Sequence, residues 1–342
     1  MRILLIDYLC PFGHKNFDKI HIAALLSLGH NLTFIGKKHY CSEVVDSENV
    51  EIINLPNLFS INIGFCKPLL DRFQDILTLL YIKYNQRRFL YDCTIFLSYD
   101  ILSIVVYQSK RPVILINHNN VGQLDNRIKF VLTRLYKKCV HICLSYTMLE
   151  RLRFLFPTRK IHYVPHGLIS PSLAIRRPSY MHEGELFLFC PVNNNFNQDI
   201  ILGILNSEEL NHYLNSNGIV LYTKPINGLF AHGNIRIIGS RMLEEEYCYL
   251  IKESLSVILP YTNEFKYRCS GILFECMAFH SSVICYNNPS MLEFRNICNM
   301  SVFDNVSELI SCIEKCREIP KNKYDLTTYK PSNYWNKVLS NL

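Results

Sequence analysis

The sequence predicts an α/β protein of two Rossmann-like domains, and three observations carry that prediction. The first 36 residues read strand, loop, helix, strand, which is a βαβ unit. The same alternation restarts at Glu185–Cys190 (ELFLFC). Between the two sets, the stretch from Ser170 to Ser179 is rich in Pro and Ser and lacks hydrophobic period, as an interdomain linker does. A length of 342 residues also suits two cores, because a single core seldom grows beyond about 250–300 residues.

In chain order, Arg2–Asp7 is a short apolar run, the pattern of a strand buried on both faces. The loop Tyr8–His14 leads to a helix over about Asn16–Leu28, closed by Gly29 and His30, and Asn31–Gly36 is the next strand. No G-x-G-x-x-G follows the first strand, which argues against a dinucleotide cofactor. Gly13 lets the loop backbone approach a ligand closely, although turn geometry alone could require it. Val50–Leu55, Tyr91–Leu97 and Pro112–Asn117 read as strands. His118 follows the last of these, where open α/β sheets bind ligands, and is the candidate of this half for touching substrate. Val140–Ser145 is a strand, Met148–Phe156 a helix, and Ile161–Val164 a strand stopped by Pro165-His166-Gly167.

In the second half, helices are expected up to about Leu205 and over Ser207–Asn215, and strands at Ile219–Thr223, ending at Lys224, and Ile235–Ile238. Glu244–Leu250 reads as a helix, and Ser256–Leu259 as a strand. A polar loop then ends in Arg268-Cys269-Ser270-Gly271, ahead of an apolar helix Ile272–Phe279 and a strand Ser282–Tyr286. Helices over Val306–Ile319 and Ser332–Leu342, the latter with the single tryptophan Trp335, complete the chain. The helix opening at Ser270 and Gly271 aims unpaired N–H groups and a positive dipole end at whatever precedes it. Arg268 adds a full charge at that place, so the stretch reads as an anion site, with phosphate the commonest occupant. Glu275, about one turn in, is placed to meet a hydroxyl of the phosphate's carrier. An ordinary N-cap with a surface arginine would present the same residues.

Charge divides unevenly. Residues 1–170 carry 21 Lys+Arg against 12 Asp+Glu, and residues 171–342 carry 15 against 17, giving the net +7. A basic first half suits an anionic partner. Two helical stretches concentrate this charge: Lys67–Tyr91 with Arg87 and Arg88, and Arg127–Cys139 with Arg134, Lys137 and Lys138. Each is either a membrane-surface helix or a core-facing stripe with a solvated basic back. No nucleic-acid motif accompanies the charge, so nucleic acid is not expected as a partner. The fourteen cysteines contain no C-x-x-C pair, and neither a metal site nor a secretion leader is expected. No apolar run reaches the roughly 20 residues of a spanning helix. The expectation is a cytoplasmic protein held peripherally at the inner face of the cell membrane.

Four segments in order resemble the retaining, metal-independent, nucleotide-sugar-dependent glycosyltransferases of bacterial polysaccharide clusters, which have the GT-B architecture. They are Cys143–Leu168, Ile219–Pro260, Ser270–Ala278 (SGILFECMA) and the terminal stretch around Tyr334 and Trp335. The resemblance implies an acceptor-binding domain over 1–169, a linker over 170–180 and a nucleotide-sugar-binding domain over 181–328, the two facing across a cleft. It also implies a terminal helix over 329–342 that returns to the first domain. Glu275 matches the glutamate that binds the donor's ribose, and Ser270 and Gly271 match the helix start that receives the diphosphate. Gly13 falls in the loop under the donor phosphates, and His118 falls where many members place a histidine against the transferred sugar.

Three departures stand against that pattern. Tyr267 occupies the first position of the E-x7-E motif, no Lys or Arg lies in Val192–Asp199, and His280 replaces the glycine of "A.G.PVI". Arg268 and Lys224 are then expected to supply phosphate charge, with no cofactor beyond the UDP- or GDP-linked donor. The implied reaction passes a sugar to a hydroxyl of a lipid-linked saccharide, in O-antigen or capsule synthesis. The open alternatives are a nucleotide-sugar epimerase of the same fold and a non-catalytic sugar-nucleotide-binding protein.

Overall fold

The computed structural model describes the chain apart from residues 10–13, 46, 61–66, 87–89, 171–173, 193–195, 197, 226–232, 240–241 and 319–320, and apart from the side chains of 60 and 67–69. The chain divides into two compact units. Unit 1 is Met1–Gly167, Tyr267–Cys269 and Thr328–Leu342; unit 2 is Leu168–Lys266 and Ser270–Thr327.

Unit 1 opens with β1 (Arg2–Asp7), α1 (Lys15–Ser27), β2 (Asn31–Lys37), α2 (Lys38–Val44) and β3 (Val50–Leu55). It continues through α3 (Lys67–Asn85), β4 (Cys93–Phe96), β5 (Val113–Asn117), α4 (Arg127–Leu135), β6 (Cys139–Cys143), α5 (Tyr146–Leu155) and β7 (Ile161–Tyr163). The strands form one parallel sheet in the order β3-β2-β1-β4-β5-β6-β7. The central strands β4, β5 and β6 are buried at every position, which is why they read as continuous apolar runs. The edge strand β3 exposes Glu51, Ile52 and Asn54. Between β1 and β4 the winding reverses, so the crevice beyond their carboxyl ends is the expected ligand position of this sheet.

Unit 2 runs through β8 (Leu186–Cys190), α6 (Gln198–Leu205), α7 (Glu208–Ser216), β9 (Ile219–Thr223), β10 (Ile235–Ile237), α8 (Glu244–Glu253) and β11 (Ser256–Leu259). It ends with α9 (Gly271–Ala278), β12 (Ser282–Tyr286), α10 (Pro289–Leu292), β13 (Asn299–Phe303) and α11 (Leu309–Glu318). Its parallel sheet is ordered β10-β9-β8-β11-β12-β13, with the reversal between β8 and β11. Serine caps set the starts of three helices: Ser145, Ser207 and Ser270 accept the N–H groups of Met148, Leu210 and Leu273.

The last helix, α12 (Ser332–Ser340), belongs to unit 1. Trp335 is fully buried there, its ring edge-on to His21 of α1 at 5.8 Å. Gly167, at φ +86°, lets the chain pass where a Cβ would collide with Ile20 of α1 and Pro331 at the head of α12. The expected return of the terminal helix to the first domain is therefore observed.

Some elements differ from expectation. The helix expected over Arg127–Cys139 stops at Leu135, because Arg159 takes the carbonyls of Thr133, Arg134 and Tyr136 and Cys139 already pairs with Val113. The helix expected from Val306 starts with a 3-10 turn, Val306–Glu308. Three elements were not anticipated: α2 and α10 are too short for periodicity to register, and β13 is a half-buried edge strand of mixed polarity.

Candidate active site

In unit 2 the sheet reversal lies next to the start of α9. Ser270 holds that start: its hydroxyl donates to Tyr261 Oη at 3.0 Å and accepts the Leu273 N–H at 3.2 Å. Tyr261 is fixed in turn by stacking on Phe265 at 4.0 Å and by the edge of Phe196 at 4.5 Å. The loop after β11 is pinned by α10: Asn288 Nδ2 donates to Thr262 O, and Ser290 Oγ to Phe265 O. The cap takes the third N–H of the helix, and those of Gly271 and Ile272 have no intrahelical acceptor, as at any helix start.

One turn along, Glu275 Oε2 accepts the hydroxyl of Tyr247 from α8 at 3.0 Å. Lys224, just past β9, sits with its ammonium 5.5 Å from the centroid of the same Tyr247 ring. Burial pulls the Lys224 pKa below its ordinary value, and the Glu275 charge partly restores it. Burial and the same carboxylate drive the Tyr247 phenol well above its ordinary range, so it stays a neutral donor. Lys224, Ser270, Gly271 and Glu275 thus share one unit, with Lys224 and Glu275 meeting at Tyr247. Tyr247 itself was missed from the sequence, where it is one aromatic within an acidic helix.

In unit 1, His118 follows β5 and donates Nε2–H to Leu97 O at 2.9 Å, which leaves Nδ1 as an acceptor. Its ring lies 4.3 Å from His14 and 4.4 Å from Phe17, centre to centre. Phe17 also meets His21 at 4.1 Å and His166 at 4.9 Å. Burial, then the neighbouring histidines, hold the His118 pKa well below its usual value. Beneath this cluster, Asp7 at the end of β1 accepts the Ser98 hydroxyl, and Asp18 accepts that of Tyr40 at 2.8 Å. Burial and the adjacent Asp7 raise the Asp18 pKa well above its ordinary value. His14, Phe17, Asp7 and Asp18 were not singled out from the sequence. An aspartate closing an otherwise apolar buried strand was the signal available.

Arg268 lies in the short segment Tyr267–Cys269 that belongs to unit 1. Tyr267 rests under the Arg151 guanidinium, 5.3 Å from its ring centroid, and Arg151 pairs with Asp125 at 2.9 Å. Cys269 Sγ donates to Leu144 O at 3.7 Å. The position that differs from the E-x7-E pattern thus holds an aromatic packed into unit 1. Gly13, Arg87 and Arg88 lie outside the described residues. Arg134, Lys137 and Lys138 are exposed at and beyond the end of α4. Among the described residues no group of three or more His, Cys, Asp or Glu is arranged to hold a metal ion, and no helix is long and apolar enough to cross a membrane.

Comparison of whole structures decides the architecture. Sucrose-phosphate synthase from Thermosynechococcus elongatus superposes with a TM-score of 0.66 at 12% identity, over 99% of this chain and 96% of that one. The fold is GT-B. A UDP-forming trehalose-phosphate synthase from Burkholderia xenovorans gives 0.67 at 10% identity, over 99% and 98%. HepE from Anabaena, solved in complex with UDP-glucose, gives 0.63 at 12% identity, over 100% and 95%. No protein-family model matches the chain, and no curated protein matches it in sequence. At these identities the GT-B likeness concerns the path of the backbone, and the chemistry rests on the chain's own side chains.

Proposed function

We propose that this GT-B chain is a glycosyltransferase that moves a sugar from a nucleotide diphosphate sugar, UDP- or GDP-linked, to a hydroxyl of a lipid-linked saccharide. The observation that carries the reading is the meeting of Lys224 and Glu275 at Tyr247, with Glu275 one turn into the helix that starts at Gly271. A diphosphate needs cationic and N–H donors, and a ribose needs a carboxylate acceptor. In transfer, the bond from the anomeric carbon to the diphosphate oxygen breaks and its electron pair leaves with the diphosphate. The acceptor oxygen bonds the same carbon and gives up its proton, in a retaining reaction to the departing phosphate. Lys224, Arg268 and the α9 N–H groups stabilise the developing charge.

The membrane part of the reading is supported by α4. Its residues Ile128, Val131 and Leu135 recur at helical spacing and are 67%, 49% and 66% exposed, and Thr133 is its one buried residue. The helix also packs Phe130 and Leu132 against the core, so the outward residues form a second apolar face in addition to the core-facing one. On α3, Phe73, Leu77, Leu80 and Tyr84 are exposed as well. Both helices pack by the 3-10 turn Ile104–Val106: Lys83 donates to Val106 O and Tyr136 to Tyr107 O. An apolar stripe flanked by Arg127, Arg134, Lys137 and Lys138 fits an anionic bilayer surface. An epimerase, acting on one small molecule, has no need of such a face.

A thermal-shift screen of UDP, GDP, ADP and TDP sugars tests the donor reading. A ligand at 100 times its Kd adds about 2.7 kcal/mol to stability. One nucleotide class is expected to raise Tm, and an Arg268→Ala variant to reduce the shift. No shift with any nucleotide sugar would remove the reading.

A further inference from the structure

On unit 1, a groove of about 430 Å³ lies between the end of α5, the start of β7 and the end of α12. Arg153, Arg159, Lys160 and His162 line it, with Pro157 and Ile161 as its apolar part, and no acidic side chain lines it. The cations are unevenly committed. Arg159 spends its guanidinium on the carbonyls that end α4 and contributes only field. Lys160 gives one N–H to Asn341 O at 2.8 Å and keeps two. Arg153 makes a single long contact, 3.5 Å to Ile161 O.

Elsewhere in unit 1 the arginines Arg72 and Arg151 are paired with Asp100 and Asp125. Among the described residues no carboxylate lies within ion-pair distance of Arg153, Lys160 or the neighbouring Lys337. Burial and then the charges of Arg153, Lys160 and Lys337 all depress the His162 pKa, and no acid offsets them. Like charges gathered on a groove without counter-charge are costly unless an anion occupies it. An arginine fork, a lysine and an imidazole converging from a helix end and a strand suit a multiply charged tetrahedral anion.

We propose that this groove binds a phosphate-bearing ligand. Pro157 and Ile161 give a ligand with an apolar portion a place beside its phosphate. The groove lies in the other unit from Lys224 and Glu275 and does not depend on the donor reading.

The test uses the full chain in two arms: inorganic diphosphate by titration calorimetry, and flotation with phosphatidylcholine vesicles with and without phosphatidic acid. The variants are Arg153→Gln/His162→Gln and the single Arg153→Glu, at an exposed and a half-buried position; Arg176→Gln/Arg177→Gln, at exposed positions in unit 2, is the control outside the groove and outside the basic face of α4. Diphosphate binding that weakens at least tenfold in the groove variants, and not in the control, supports a soluble phosphate ligand. Binding seen only to phosphatidic acid vesicles, and lost at least tenfold in the groove variants, supports a lipid phosphate. Absence of binding in both arms, or binding unchanged in the groove variants, overturns the proposal. Nucleotide-sugar binding is expected to be unchanged in these variants, so the two readings fail separately.

Discussion

Trp335 donates its indole N–H to Nδ1 of His21 at 2.9 Å, joining residues 314 positions apart in sequence. Both side chains are fully buried. The bond requires His21 to be neutral with Nδ1 unprotonated, and it ties α12 to α1. Replacing Trp335 by Phe keeps most of the apolar volume and strands the His21 acceptor, at a cost of about 1–3 kcal/mol. Replacing it by Ala adds a cavity, for a loss of about 3–5 kcal/mol. Urea unfolding followed by a unit 1 probe is expected to rank the variants in that order, and equal midpoints would contradict it.

The same burial predicts acid sensitivity. The pKa of His21 is pushed down to about 3 and that of His141 to about 4, chiefly by desolvation, from the ordinary 6.5. Below pH 6.5 the unfolded chain takes protons that the folded chain refuses. Stability therefore falls as pH drops from about 6.5 toward 4, by up to about 1.4 kcal/mol per pH unit for each histidine. Asp18 has the opposite sign, since a raised carboxyl pKa favours the folded state at low pH. Tm measured from pH 7 to 5 should decline; a flat profile would mean the imidazoles charge within the fold.

His280 ends α9 in the left-handed conformation, at φ +54°, and is the one non-glycine residue with positive φ among those described. Its N–H bonds Met277 O and the Ser281 N–H bonds Cys276 O, a Schellman closure that ordinarily takes glycine. His280→Gly relieves a backbone cost of about 1–2 kcal/mol, offset in part by unfolded-chain entropy. A net gain of about 0.5–1 kcal/mol in thermal unfolding is expected, and a loss would show that the imidazole contributes packing.

Tyr247→Phe removes the hydroxyl that orients Glu275 and leaves the ring beside Lys224 in place. Loss of that hydrogen bond, about 1 kcal/mol, predicts donor affinity reduced about fivefold with Tm little changed. Affinity equal to the parent's would leave Tyr247 without a positioning role.

The two sheets were legible because their central strands are buried on both faces, so runs such as Val113–Asn117 announce themselves. The start of α9 was legible for the same local reason: Ser270 and Gly271 precede an apolar run. Short or mixed elements such as α2 and β13 carry no period to detect. The partners of the named residues were not legible either, because Tyr247 reaches Glu275 across 28 positions and Trp335 reaches His21 across 314. Only the crossing of strands and helices creates such pairs. The outward apolar stripe of α4 also depends on tertiary placement, since the sequence pattern is identical for a helix packed inward.

The central claim is that Lys224 and Glu275 hold a nucleotide diphosphate sugar at the head of α9. Calorimetric titration of the nucleotide sugar selected by the thermal screen into the parent, Lys224→Ala and Glu275→Ala proteins tests it most directly. At least tenfold weaker binding in each variant, with folding retained, is the predicted result. Affinities indistinguishable from the parent's would contradict the claim.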